Sequence, residues 1–125
     1  MLAGYATVCV DGLLLSRRER GMRIRYESVG VLKLAQLGVD RSFQGRGLGG
    51  LIVADIVRLA REISRRAGCR YLTVDAVEEV VAWYEGGLGF KRNRLMQEHR
   101  IRLALERQRD PERLAISMRF DIRDG

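Results

Sequence analysis

Val39-Asp40-Arg41-Ser42-Phe43-Gln44-Gly45-Arg46-Gly47-Leu48-Gly49-Gly50 joins the end of an apolar strand to the start of a long amphipathic helix. Four of its last six residues are glycine. Glycine removes side-chain bulk, so backbone N–H groups and the positive end of a helix can approach an anion closely. Glycines at a helix start also cost helix stability, which a plain turn would not require. The segment therefore predicts a phosphate cradle, with Arg46 as a cation in its middle. A Walker loop is excluded, because no Gly-Lys-Ser/Thr triplet occurs. Gly45, Gly47 and Gly50 satisfy the dinucleotide spacing G-x-G-x-x-G, with Asp75 where a ribose-binding acid would stand. Against that, Asp40–Gln44 separates the strand from the first glycine, and 125 residues are too few for the doubled sheet.

Outward from the loop, strands alternate with helices. Val31 to Val39 reads as a strand with a change of phase: Leu32 and Leu34 share one parity, Leu37 and Val39 the other. Strict alternation then implies either a bulge near Ala35–Gln36 or a strand buried on both faces. Gly4 to Leu15 is an earlier strand, and Arg17 to Arg23 a solvated connection. The helix after the loop runs to about Ala67. Its apolar stripe is Leu48, Leu51, Ile52, Ile56, Leu59, Ala60 and Ile63; its wet face is Asp55, Arg58, Arg61, Glu62, Arg65 and Arg66. Gly68 ends it.

Cys69 to Val74 is a strand, and Val77, Val80, Val81 and Tyr84 have helical spacing. Phe90 to Leu95 reads as another strand, and 97–109 as weakly helical through Ile101 and Leu105. Ile116, Met118, Phe120 and Ile122 alternate with polar residues in a last strand. The pattern predicts one mixed α/β domain spanning residues 1–125.

Composition narrows the function classes. The chain carries 23 Lys+Arg against 16 Asp+Glu, a formal +7, which favours an anionic partner: nucleic acid, membrane surface or phosphate-bearing cofactor. Hydrophobic content of 46% excludes a disordered tail protein. No apolar run approaches the roughly 20 residues that cross a bilayer, and no export leader is visible. Cys9 and Cys69 form no CxxC pair, so a zinc site is not expected and a reduced cytoplasmic setting is.

The segment Val39–Gly49 resembles the acetyl-CoA-binding motif of the GNAT N-acetyltransferases, Gln/Arg-x-x-Gly-x-Gly/Ala, met by Gln44, Gly47 and Gly49 after a Leu-x-Val strand end at Leu37 and Val39. Downstream, Ala82-Trp83-Tyr84-Glu85 with Gly89-Phe90 resembles the family's Ala-x-x-Phe-Tyr…Gly-Phe segment. The resemblance runs from about Gly4 to Asp121. It implies a single mixed, mostly antiparallel sheet with a central βαβ unit and splayed strands. It also implies acetyl-CoA as co-substrate, with no metal. The cofactor residues would be Leu37, Gly38, Val39, Gln44, Gly45, Arg46, Gly47, Leu48, Gly49 and Gly50. Tyr84 would protonate the leaving thiolate.

The chain departs from the family in two ways. One extra residue lies between Tyr84 and Gly89, through Gly86-Gly87. The family's first strand and two helices, which wall the acceptor site, are missing before Gly4; the chain is a short form, starts late or borrows a wall from a second subunit, so a homodimer is one expectation.

Acetyl transfer to an amine needs a neutral amine, stabilisation of the developing oxyanion and protonation of the thiolate. A phenol stays protonated at neutral pH, so Tyr84 suits the third need; as a bare pattern it equally fits a core tyrosine. Backbone N–H groups at a bulge would serve the second. Glu27, Asp75, Glu78 and Glu79 are candidate bases, each also readable as a solvated or capping acid. His99 is expected to be exposed or structural, and Cys69 a buried thiol. Three functions compete: an N-acetyltransferase acting on a primary amine of a small molecule, peptide or aminoacyl-tRNA; a non-catalytic coenzyme-A-binding module; and an RNA-directed, toxin-type enzyme, suggested by the charge and the Arg58, Arg61, Arg65, Arg66 face. No RNA-binding motif supports the third, and 6% aromatic content offers few stacking platforms.

Overall fold

The structure, a computed structural model, describes residues 3–20 and 28–124. Glu27 and the Gly21–Arg23 end of the expected connection lie outside them. The strands are β1 (Gly4–Leu14), β2 (Ser28–Val39), β3 (Tyr71–Ala76), β4 (Lys91–Arg92) and β5 (Ile116–Asp121); the helices are α1 (Arg17–Arg20), α2 (Leu48–Ala67), α3 (Glu78–Ala82) and α4 (Arg94–Glu106). The described strands form one sheet in the order β1-β2-β3-β5-β4. Only β2 and β3 are parallel, joined through α2, so the mixed, mostly antiparallel sheet with a central βαβ unit is confirmed.

Of the two explanations for the phase change in β2, the bulge is correct. Thr7 faces Gln36 and Val8 faces Leu34, which leaves Ala35 as the extra residue. β2 and β3 pair only over Leu32–Leu34 and Leu72–Val74. Beyond those pairs the strands separate, with the bulge at the fork.

Each sheet face has its own core. Leu32, Leu34, Leu72, Val74 and Met118 pack with Val53 and Ala60 of α2. Leu13, Leu15, Val31 and Tyr71 pack with Met96 of α4. Of the expected stripe of α2, Ile56, Ala60 and Ile63 pack on the core, whereas Leu51 is 65% exposed and Leu59 42%; Val53, outside that stripe, is buried and Val57 partly so. The arc that meets the sheet centres on Val53 and Ala60, whose small side chains let the helix lie close, and Leu51 falls outside it. Gly68 ends α2 in a left-handed conformation, φ 72°, and its N–H donates to the Ser64 carbonyl at 3.1 Å.

Four expected boundaries need correction. The strand predicted at 90–95 shrinks to Lys91–Arg92, and α4 starts at Arg94 rather than 97. The reason is Asn93, which is fully buried. Its Nδ2 donates to Ser117 Oγ at 3.0 Å and its backbone N–H to the Ser117 carbonyl at 2.8 Å, and this turns the chain into the helix. Gln97 completes the join, accepting from the Ser117 N–H at 2.8 Å. The last strand closes at Asp121, and Ile122 packs into the core from a following 3-10 turn. The strand expected at 69–74 lies at 71–76.

Arg17–Arg20 of the expected solvated connection is a short helix, with Arg17 and Arg18 exposed and Glu19 turned inward. Ser16 and Glu19 cap it reciprocally: the Glu19 N–H donates to Ser16 Oγ at 3.2 Å and the Ser16 N–H to Glu19 Oε1 at 3.1 Å. The other carboxylate oxygen, Oε2, accepts from Arg119 Nη1 and from the Arg94 N–H, each at 3.0 Å, so one buried acid ties α1 to β5 and α4.

Burial alone would raise the Glu19 pKa. Hydrogen bonds from the Ser16 and Arg94 backbones and the Arg119 charge outweigh it and hold the carboxyl below the usual glutamate value. A depressed native pKa stabilises the fold above the unfolded-state value and is lost as pH falls through the native one. Glu19→Gln should therefore cost about 2 kcal/mol at neutral pH. Urea denaturation at stepped pH should show the wild-type advantage fading below about pH 4.

Candidate active site

Where β2 and β3 part, a cleft of about 290 Å³ opens between Leu34–Leu37 on one wall and Val74–Val77 on the other, with Val80, Trp83 and Tyr84 closing one side. Ala35, the bulged residue, lines it. Val77, Val80 and Trp83 are exposed apolar side chains at its rim, so the opening is greasy. A slender, partly apolar arm fits such a slot.

Tyr84 lies at the base of this rim and is 4% exposed. Its ring meets Trp83 edge-on at 4.9 Å and Phe90 at 5.2 Å, which fixes its orientation. Among the described residues its hydroxyl has no hydrogen-bond partner. Burial raises its pKa, so the phenol holds its proton more firmly.

The helix carrying Tyr84 does not continue regularly. Trp83–Gly87 form a π turn after α3. The Leu88 N–H donates to the Trp83 carbonyl at 3.1 Å, and the Phe90 N–H to the Tyr84 carbonyl at 2.9 Å. A wider turn accommodates an additional residue without unwinding the helix. The extra residue noted between Tyr84 and Gly89 lies in this turn.

The glycine loop follows the end of β2 and meets the cleft-lining Trp83 at Gly49. Gly45 and Gly47 have φ of 77° and 78°, a left-handed geometry that suits glycine. Gly47 caps α2 without a side-chain hydrogen bond. The first helical bond from this end runs from the Leu51 N–H to the Gly47 carbonyl at 3.2 Å, so the preceding N–H groups of Leu48, Gly49 and Gly50 are the helix's uncommitted donors. No atom lies within 4 Å of where a side chain would begin at Gly45, Gly47 or Gly50. Arg46 is exposed and leans over the Phe43 ring at 5.7 Å. Open space, uncommitted amides and a nearby cation are the features from which an anion cradle can be built.

Other expected site residues divide. Leu37 lines the cleft. Gly38 lies under the Tyr5 ring, which occupies the place of any side chain there. Val39 packs near Gly49, and its carbonyl accepts from Gln44 Nε2 at 3.0 Å. The Gln44 side chain thus clamps the loop to the strand end. Asp75 borders the cleft, but its carboxylate accepts from Arg100 and pairs with Lys33 at 2.6 Å. Its burial raises the pKa, and the bonds to Arg100 and Lys33 lower it further than burial raises it, which makes a poor general base. Glu78 and Glu79 are exposed on α3. Among the described residues no group of three or more His, Cys, Asp or Glu could hold a metal ion.

Trp83 lies within the Ala82-Trp83-Tyr84-Glu85 motif, which by itself assigns it no role. Its indole lies against Gly49, 3.5 Å from where a β-carbon would stand, and beside Tyr84. It therefore touches both the glycine loop and the cleft. The signal that could have found it is the lone tryptophan next to the motif tyrosine.

A parallel strand pair that splays beyond a bulge, with a glycine loop leading into a helix, defines the class of fold: one mixed sheet built round a single βαβ unit. The chain belongs to the acetyltransferase (GNAT) family, whose sequence profile matches residues 2–90. No curated protein matches the sequence. Among solved structures, one described as a bacterial toxin superposes with a TM-score of 0.72 at 22% identity, covering 98% of this chain and 61% of its own. AtaT complexed with acetyl-methionyl-tRNAfMet gives 0.70 at 21% identity, with 98% and 64% covered. AtaTR bound with AcCoA gives 0.62 at 23% identity, with 98% and 60% covered. The chain thus spans about three-fifths of the length of these structures.

The cradle and cleft respond differently to added bulk. Gly50→Ala meets open space and should raise stability by about 0.5–1 kcal/mol through helix propensity. Gly49→Leu should push the indole outward, shifting the emission of the sole tryptophan to the red, whereas Gly50→Ala leaves it unmoved.

Proposed function

We propose that the protein is an acetyl-CoA-dependent N-acetyltransferase acting on a primary amine. The observation that carries this is the continuity of the site, in which Trp83 links the anion cradle at Gly45–Gly50 to the cleft that holds Ala35 and Tyr84. The loop amides and Arg46 would hold a pyrophosphate, and Leu37, Val77, Val80 and Trp83 would line the arm. Acetyl-CoA supplies a thioester, an activated acyl donor. The bulge at Ala35 frees backbone groups from strand pairing beside the reacting carbonyl, which supports a role in stabilising charge there. Tyr84 holds a proton at its hydroxyl and gives it to the sulfur as the C–S bond breaks and the C–N bond forms. The amine's own proton leaves to water, because Asp75 is committed to Arg100 and Lys33. The free thiols of Cys9 and Cys69 suit a reducing cytoplasm.

For the acceptor we favour the α-amine of an aminoacyl-tRNA. The support is the +7 charge together with the likeness to AtaT, which is solved with acetyl-methionyl-tRNAfMet.

Calorimetric titration should show acetyl-CoA binding to the wild type and its loss in Gly47→Glu, where a carboxylate enters the cradle; binding that survives the change would refute the site. In steady-state assays Tyr84→Phe should lower kcat about 100-fold with little change in the KM for acetyl-CoA. Turnover untouched by that change would remove Tyr84 from the chemistry. A protein that binds acetyl-CoA but acetylates no amine, peptide or charged tRNA would be a binding module instead.

A further inference from the structure

Two adjoining concavities of about 410 and 440 Å³ lie along α1, β4 and the start of α4, sharing Arg18, Glu19, Lys91 and Arg119. Their acids are already neutralised: Glu19 by Arg119 at 3.0 Å, Asp121 by Arg70 at 2.9 Å and Glu85 by Arg92 at 3.1 Å. Arg18, Lys91 and Arg94 are exposed and make no ion pair among the described residues. Positive charge therefore accumulates in a hollow with no acid left to balance it.

We propose that this rim is an RNA-binding surface that grips the phosphodiester backbone; the proposal rests on the aminoacyl-tRNA acceptor reading above. Arginine forks and a lysine ammonium suit phosphate oxygens. A protein partner would need apolar anchors, and the exposed large hydrophobic side chains, among them Val10, Leu51, Trp83 and Leu105, all lie outside these hollows. Interfaces with nucleic acid are polar and strongly cationic, as this one is.

The rim also adjoins the site. Phe90 lines it and holds the Tyr84 ring at 5.2 Å, and Glu85 follows Tyr84 directly. The arginine face of α2, singled out from the sequence, is a weaker candidate: it is the outer surface of a helix, and Arg58 pairs with Asp55 at 3.6 Å.

Fluorescence anisotropy with a short labelled single-stranded RNA, read across a salt series, tests the surface. The variant Arg18→Glu/Lys91→Glu/Arg94→Glu is compared with Arg58→Glu/Arg65→Glu/Arg66→Glu. The rim variant should bind at least about tenfold more weakly and lose about 2 from the log–log salt slope, three phosphate contacts at about 0.7 each. The α2 variant should stay within about threefold of wild type. Retained acetyl-CoA binding shows that the rim variant is folded. Greater loss in the α2 variant, no binding by the wild type, or tighter binding of poly-glutamate or of DNA of the same sequence would overturn the proposal. Failure of acetyl-CoA titration would instead strike the acetyltransferase reading and leave the RNA measurement standing.

Discussion

β2 and β3 share three paired positions and then separate, and the site depends on that separation. Backbone donors and acceptors left unpaired inside a protein are costly, so two strands part only where something else meets those groups. Here β1 continues to pair β2 on its outer edge past the fork, up to Gly4 opposite Val39, and β5 pairs β3 along its whole length. Each strand is held from outside, and the gap between them persists. The bulge at Ala35 lies at the fork and bends β2 away. The glycine loop follows at the end of the bent strand, and α3 follows at the end of the other. The glycine loop and the turn carrying Tyr84 thus follow the ends of diverging strands, with the cleft between those strands.

The face packed by α4 is held by polar groups to an unusual degree. Glu19, Arg119, Asn93, Ser117 and Gln97 form a chain of hydrogen bonds between α1, β5 and α4. Asp75, Lys33 and Arg100 form a second cluster beside the cleft. Buried ions contribute little net stability when compared with apolar packing, but they punish misalignment, because an unpaired buried charge is expensive. α4 has a weak apolar stripe, so this network sets where it sits. Asp75 is consequently a fastener between β3 and α4, although its position beside the cleft suits a base.

The glycine loop, the length of α2 and the stop at Gly68 were legible because each rests on local chemistry: left-handed backbone, helical period and a terminal glycine. The bulge was legible as one of two possibilities, through the parity change from Leu34 to Leu37. The inner face of α2 was legible through Ile56, Ala60 and Ile63, but its edges were not: leucine weighs heavily in a stripe, so Leu51 and Leu59 counted as inner residues, whereas close approach to the sheet buries Val53. The Ser16-x-x-Glu19 capping box was present in the sequence and passed over inside a run of arginines. Asn93 gave no sign of its burial, because its partner Ser117 lies 24 residues away.

The sequence by itself determined the family, the left-handed glycine loop at the start of α2 and the tyrosine that lines the cleft, because those features are short-range motifs whose geometry follows from glycine and helical spacing. Tertiary structure alone decided which acids were available, that Val53 rather than Leu51 meets the sheet, and where positive charge gathers. Those outcomes depend on residues far apart in the chain coming within a few ångströms of one another. Arg18, Lys91 and Arg94 line one hollow only because α1, β4 and α4 meet there, and Asp75 is withdrawn as a base only because α4 brings Arg100 to it.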